Sequence, residues 1–500
     1  MVTRLKPAFT VERMSKVDTA WLRMDSPSNL MIILGVWLIK PGVSYEAARD
    51  RIEERMLKYP RFGQRVQLDA TGASWVTDTE FDISRHVLRE KLPAGARKHP
   101  QQALQTRLGE LALQPMDMRH PLWDFRLIEH FEGGSALLVR IHHCIADGLA
   151  LIAVIQSLVD GGQEPPPHKV HASTASGWEA AEDWMAHTVI EPLTQATVKA
   201  LDAAGEGAEQ VLKGLGEPIT LLEKLLEKGL HKSLSGSADA ARMAYRVMRD
   251  GAALALMADD SPTRLKGTPG HAKRVAWCQP IPLDEVRAIS KALHSSINDV
   301  LLACVAGAIG QYLRAQGDSV KGKEIRAMVP VNLRPMAEAY KLGNQFGLAP
   351  VVLPIGLENP VERVFEVRRR MDALKGSLQP LLAFALLAVA GVMVKPAQDA
   401  MLSLFSKKTT AVMTNVPGPR EKLSFCGATL EQALFWVPQS GSVGLGVSIL
   451  SYGGGVQFGV ITDTTLCPDP QAIIDQFAPE FERLSWLTLM LPWGDESAIV

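Results

Sequence analysis

The stretch that most constrains this chain runs from Ser135 to Gly162, SALLVRIHHCIADGLALIAVIQSLVDGG. It reads as an apolar strand (Ala136 to Ile141), a polar cluster His142-His143-Cys144-Ile145-Ala146-Asp147-Gly148, and an apolar helix closed by Gly161-Gly162. A strand that feeds straight into a helix is a unit of α/β architecture, and a rigid strand end is where catalytic groups are commonly held.

Successive side chains of an extended segment point to opposite faces, so His142 and His143 cannot easily share one task. One imidazole is expected to face a reacting centre while the other turns into the protein and holds the backbone. A histidine near its ordinary pKa can take a proton at neutral pH, which a hydroxyl needs if it is to attack an acyl carbon. Asp147, at the start of the helix, is placed to cap it or to bind an arginine that braces the loop. Three other readings of the same residues stay open: a satisfied structural histidine pair, a metal site, and a Cys144 thiolate nucleophile. Opposite-facing histidines disfavour shared ligation, and nothing in an apolar strand end would depress the thiol pKa.

Five hundred residues exceed one ordinary core, so two domains are expected. With 53 basic against 54 acidic residues the formal charge is -1, and no overall field attracts nucleic acid. Cys144, Cys278, Cys304, Cys426 and Cys467 are scattered, odd in number and without a CxxC pair, which argues against a disulfide framework and a zinc ribbon. The N-terminus has no apolar signal region, so a reducing cytoplasm is expected. The longest apolar run, Leu381 to Val394, would make a helix of roughly 21 Å, short of the hydrocarbon core. It is expected to be a buried helix, with an interfacial or acyl-contacting segment as the alternative.

In chain order, a short helix is expected around Val17 to Trp21, an apolar strand from Met31 to Ile39, and a helix from Tyr45 to Lys58 stopped by Pro60. A helix from Gln101 leads to Pro121-Leu122-Trp123, which by itself reads as a strand entrance and a core anchor. Gln163 to Gly177 carries the best linker signal, and an alanine-rich helical tract follows to about Asp260. The divisions are therefore 1–163, a connector 164–266, and 267–500. In the last of these, Ser296-Ile297-Asn298-Asp299 has the spacing of a capping box at the head of a long helix. Strands are expected from Ile325 to Val331 and through Leu353, and Val443–Leu450 with Val456–Ile461 as a hairpin. Asn and Gly in Gly343-Asn344-Gln345-Phe346-Gly347 suit turn backbone, and Asn415-Val416-Pro417-Gly418-Pro419 is a rigid turn.

HHCIADG resembles the HHxxxDG motif of the CoA-dependent acyltransferase superfamily, which includes chloramphenicol acetyltransferases and peptide-synthetase condensation domains. Pro121-Leu122-Trp123 is similar to a PLW motif and Asn298-Asp299 to an N-D motif; TNVPGP is similar to SNVPGP, with Thr414 in place of serine. Over nearly its whole length the chain resembles the bacterial wax ester synthase/acyl-CoA:diacylglycerol acyltransferase family. The resemblance implies an α/β (α+β) class of two chloramphenicol-acetyltransferase-like domains, of mixed sheet plus helices, with an active-site tunnel between them. It implies transfer of a fatty acyl group from acyl-CoA to a long-chain alcohol or diacylglycerol, with no metal and no resident cofactor.

On that basis His143 is expected to be the general base and Asn298 the oxyanion donor, while His142 and Asp147 hold the loop and Gly148 lets the helix start tight against it. Pro121, Leu122 and Trp123 are expected to shape the acyl channel, and Asp299, Thr414 and Asn415 to border the substrate. The expected setting is cytoplasmic, with peripheral attachment to an inner membrane or to lipid inclusions. Three alternatives remain: a condensation-type transferase using a carrier-bound acyl group, a non-catalytic acyl-lipid-binding protein, and a metal-dependent hydrolase.

Overall fold

Gly134–His142 is the fourth strand of a six-stranded sheet, and all nine of its residues are buried. The order of that sheet is Ser424–Phe425, Ala428–Trp436, Ile32–Lys40, Gly134–His142, Trp123–Phe131, Val87–Arg89. A strand covered on both faces needs apolar residues at every position, and here the two faces serve different cores. Leu137, Val139 and Ile141 join Trp37 and Trp123 in one cluster, while Ala136 and Leu138 join Leu104, Leu108 and Leu111 in another. Arg140 is buried on the second face and is neutralised by Asp124 at 2.8 Å. The hairpin before it turns on Glu132 (φ 48°) and Gly133 (φ 78°), the two positive dihedrals of a tight two-residue turn.

The structure, a computed structural model, describes residues 9–69, 72–163, 257–334, 341–375, 377, 379–392 and 395–491. The helical connector expected over 164–266 lies outside the described residues up to 256. A second, seven-stranded sheet has the order Phe346–Leu353, Ile325–Asn332, Ala411–Pro417, Leu445–Tyr452, Gly455–Asp463, Lys273–Trp277, with Ile281–Pro282 also paired to Gly455–Asp463. Helices Ile297–Ala315, Pro360–Leu374 and Gln471–Leu489 cover it and form their own core. The two sheets meet where Val275, Trp277 and Ile461 of the second pack with Leu34, Val36 and Trp436 of the first.

Strand Ala428–Trp436 comes late in the chain yet pairs with Ile32–Lys40, so division by sequence and division by sheets differ by that strand and its short neighbour. Sequence periodicity identifies strands but not their partners, because register is decided by what each face buries.

The apolar run becomes the helix Gln379–Val392, packed between the helix Lys16–Arg23 and the strand Phe346–Leu353. Leu387, Ala388 and Ala390 are buried, whereas Leu381, Leu382, Phe384 and Leu386 are half-buried. Gly391 permits that approach, since a Cβ there would lie 1.8 Å from the Lys16 carbonyl oxygen. Among the described residues no single helix is long and apolar enough to cross a membrane.

Candidate active site

His143 leaves the end of its strand with its backbone N–H donating to the Met31 carbonyl at 2.7 Å. The following loop turns at once into the helix Gly148–Leu158, because Asp147 caps it by accepting from the Ala150 N–H at 3.0 Å. The other carboxylate oxygen of Asp147 lies 3.1 Å from the Arg334 guanidinium and accepts from the Gln345 N–H at 3.0 Å. Arg334 also donates to the Gly343 carbonyl at 2.7 Å, and Gly343 and Ile145 share a backbone hydrogen bond of 3.1 Å. The loop is thus stitched to the segment between strands Ile325–Asn332 and Phe346–Leu353.

The two histidines do diverge. His142 Nδ1 accepts from the Cys144 N–H at 3.2 Å, so its proton sits on Nε2, 3.4 Å from an Asp25 oxygen. Asp25 in turn accepts from the Met31 N–H at 2.6 Å, tying His142 to the start of the neighbouring strand. His143 Nδ1 lies 3.0 Å from Asn344 Oδ1, and the ring stacks on Trp21 at 4.2 Å with 12° between planes. Phe346 packs nearby, its ring centre 5.5 Å from that of His143. Asn344 Nδ2 donates to Asp18 Oδ1 at 2.7 Å and to the His143 carbonyl at 2.8 Å, and its backbone N–H reaches the same Asp18 oxygen at 3.0 Å. Burial pushes the His143 pKa down to about 4, and burial also raises that of Asp18.

A second group gathers at the head of the helix Ile297–Ala315. Ser296 and Asp299 form the reciprocal capping box, at 2.8 and 3.1 Å. Asn298 is exposed, and its Oδ1 accepts from Asn415 Nδ2 at 2.9 Å. Thr414 is buried, and its hydroxyl is turned to the Val447 carbonyl at 3.4 Å. Strands Ile325–Asn332 and Ala411–Pro417 run parallel, and Asn332 is paired with Phe346. Asn415 therefore stands at the same carboxyl-end edge of the sheet as Phe346, two strand spacings or roughly 10 Å along it. That edge is where open α/β sheets place their ligands.

Two expectations are corrected. Trp123 is a core anchor: its indole N–H donates to the Phe62 carbonyl at 2.9 Å, and its ring packs on His86 and Phe62. Pro121 and Leu122 are buried beside it, and the Leu122 carbonyl receives the His142 N–H, so this motif packs against the strand Gly134–His142 rather than shaping a channel. Gly148 is not required for a tight helix start, because a Cβ there would meet nothing within 4 Å. Asp299 completes the cap through Oδ2, and its other carboxylate oxygen, Oδ1, is buried without a hydrogen-bond partner.

Sequence reasoning missed Asp18, Trp21, Asp25, Arg334 and Asn344. The signals were there as a polar residue inside a buried short helix and the Gly343-Asn344 turn, but neither indicates a partner hundreds of residues away. Among the described residues no group of three or more His, Cys, Asp or Glu side chains could hold a metal ion.

Residues 14–301 match the wax ester synthase/diacylglycerol acyltransferase catalytic-domain family, and residues 342–485 match its C-terminal domain. A probable diacylglycerol O-acyltransferase of Mycobacterium tuberculosis is 25% identical over 474 residues, 92% of each chain. The wax ester synthase/diacylglycerol acyltransferase structure from Marinobacter aquaeolei superposes with a TM-score of 0.63 at 18% identity, covering 96% of this chain and all (100%) of that one. The starter condensation domain of rhizomide synthetase, solved with C8-CoA, gives 0.52 at 14% identity, covering 96% of this chain and 95% of that one. The two structures show a shared fold, the two-domain chloramphenicol-acetyltransferase-like architecture of mixed sheets and helices.

Proposed function

The chain belongs to the wax ester synthase/diacylglycerol acyltransferase family, and on that premise we propose that the loop from His142 to Gly148 is its acyl-transfer centre, with His143 as the general base. The activity is transfer of an acyl group to the hydroxyl of an alcohol or diacylglycerol. The observation that carries the assignment is His143 itself, a buried ring held in plane by Trp21 and bonded through Nδ1, with a pKa of about 4. At neutral pH such a ring is uncharged and keeps one nitrogen lone pair for a hydroxyl proton.

As the acceptor oxygen bonds to the thioester carbon, His143 takes the hydroxyl proton. The tetrahedral intermediate then expels the thiolate by breaking its C–S bond, and the same proton passes to the departing sulfur. The intermediate needs a donor for its oxyanion, worth about 3 kcal/mol where one is well placed. We assign this to Asn298, whose carbonyl is held by Asn415, leaving its amide hydrogens for the substrate. Gly148 presents open space beside the loop, which suits passage of a substrate chain.

The donor in this proposal is acyl-CoA, a class the condensation domain of similar fold has been seen to hold; it calls on no metal and no resident cofactor. The acceptor is a long-chain alcohol or diacylglycerol, reached through a tunnel between the halves. The chain would work from the cytoplasm, attached peripherally to an inner membrane or lipid inclusions. The half-buried apolar side of the helix Gln379–Val392 supports such an attachment.

Thiol release from palmitoyl-CoA, with hexadecanol or dioleoylglycerol as acceptor, tests the assignment. His143→Ala is expected to lower turnover by about 10²–10⁴-fold while acyl-CoA still binds. Turnover near that of the parent enzyme would overturn the role of His143.

A further inference from the structure

The Asn344 side chain has a determined orientation. Both of its amide hydrogens meet acceptors: Asp18 Oδ1 at 2.7 Å, which also accepts the Asn344 backbone N–H, and the His143 carbonyl at 2.8 Å. Turning the amide over would set its oxygen against both of those acceptors. Its oxygen must therefore face His143 Nδ1, at 3.0 Å, and an amide oxygen accepts but never donates. The hydrogen in that contact has to belong to Nδ1.

Two further contacts hold the arrangement. Asp18 is anchored to the Asn344 backbone N–H as well as to its side chain, so the carboxylate cannot swing away without losing both bonds. The Trp21 ring lies almost parallel to the imidazole and fixes its plane. Asp18 and Trp21 lie on the helix Lys16–Arg23, whereas Asn344 lies just before the strand Phe346–Leu353 of the second sheet.

Resting on the assignment of His143 as base, we infer that Asn344 and Asp18 are positioning residues that lock His143 as its Nδ1–H tautomer, with Nε2 as the basic atom. The lock closes only when the segment carrying Asn344 is seated on the N-terminal helix. When Nε2 takes the acceptor's proton, the new imidazolium keeps its Nδ1–H on the Asn344 oxygen, and that amide is polarised by the Asp18 carboxylate behind it. No proton moves along the chain.

The test is ¹⁵N spectroscopy of the full-length protein with labelled histidine, the His143 signals being identified by their loss in His143→Gln. At neutral pH the parent protein should show Nδ1 protonated and Nε2 bare, a measurement that needs neither a substitution nor a substrate. Asn344→Leu is expected to populate the Nε2–H form and to lower kcat by about 100-fold, with KM for both substrates little changed. Asp18→Asn, which keeps the shape, is expected to lower kcat by about 10-fold with the tautomer retained. An Nε2–H ring in the parent protein overturns the inference while leaving His143 essential. So does Asn344→Leu with the parent's tautomer and kcat. Full turnover in His143→Ala would instead remove the premise.

Discussion

His143 is neutral at physiological pH because burial disfavours its charged form, which places its pKa at about 4 against an ordinary 6.5. The acid limb of kcat/KM is accordingly expected near pH 4 to 5, well below where an exposed histidine would place it. Thiol-release rates across that range will show it. The same shift affects stability. Between pH 6.5 and about 4 the unfolded chain binds a proton at this position that the folded chain does not. The contribution of the neutral ring is therefore complete above pH 6.5 and is lost as pH falls toward 4, by on the order of 3 kcal/mol. In urea unfolding at pH 7 and pH 5, the parent protein should lose more stability than His143→Leu. Equal losses would place the ring in a solvated site.

The helix Lys16–Arg23 has eight residues, too few to persist by itself. It carries Asp18 and Trp21 to His143 and Asn344 because Ser15 caps it and the helix Gln379–Val392 lies against it through Gly391. Gly391→Val would drive a side chain into the Lys16 carbonyl. It is expected to cost roughly 1–3 kcal/mol in thermal or urea unfolding and to lower kcat by displacing Trp21 and Asp18. Gly148→Ala should leave stability unchanged within about 0.5 kcal/mol, since its Cβ would enter open space. The cap at Ser296 and Asp299 was readable because its two partners are three residues apart. The packing of the apolar helix was not, since its periodicity does not say which face meets protein.

At the scale of the whole molecule, the first sheet is unfinished without Ala428–Trp436, which covers the edge of Ile32–Lys40. The loop from His142 to Gly148 is likewise incomplete without Arg334 and Asn344 from the later part of the chain. Residues 9–163 expressed alone are therefore expected to expose a long apolar strand edge and to aggregate, and coexpression of residues 257–500 to recover soluble protein. Size-exclusion chromatography of the two preparations checks this; a monodisperse folded fragment would show that the borrowed strand is dispensable.

Local sequence determined what short-range physics can specify: the strand that ends in two divergent histidines, the capped helices, the rigid turns and the candidate base. Each depends on residues a few positions apart, whose side chains are related by the period of a strand or the pitch of a helix. Tertiary structure alone decided which nitrogen of His143 is bonded, that Asp147 meets Arg334, and that a strand from residue 428 onward completes the first sheet. Those outcomes depend on contacts between residues hundreds of positions apart, as in Asp18 with Asn344, 326 positions on, and Leu34 with Trp436. Such pairs form only once both sheets have buried their apolar faces, and no local pattern records them.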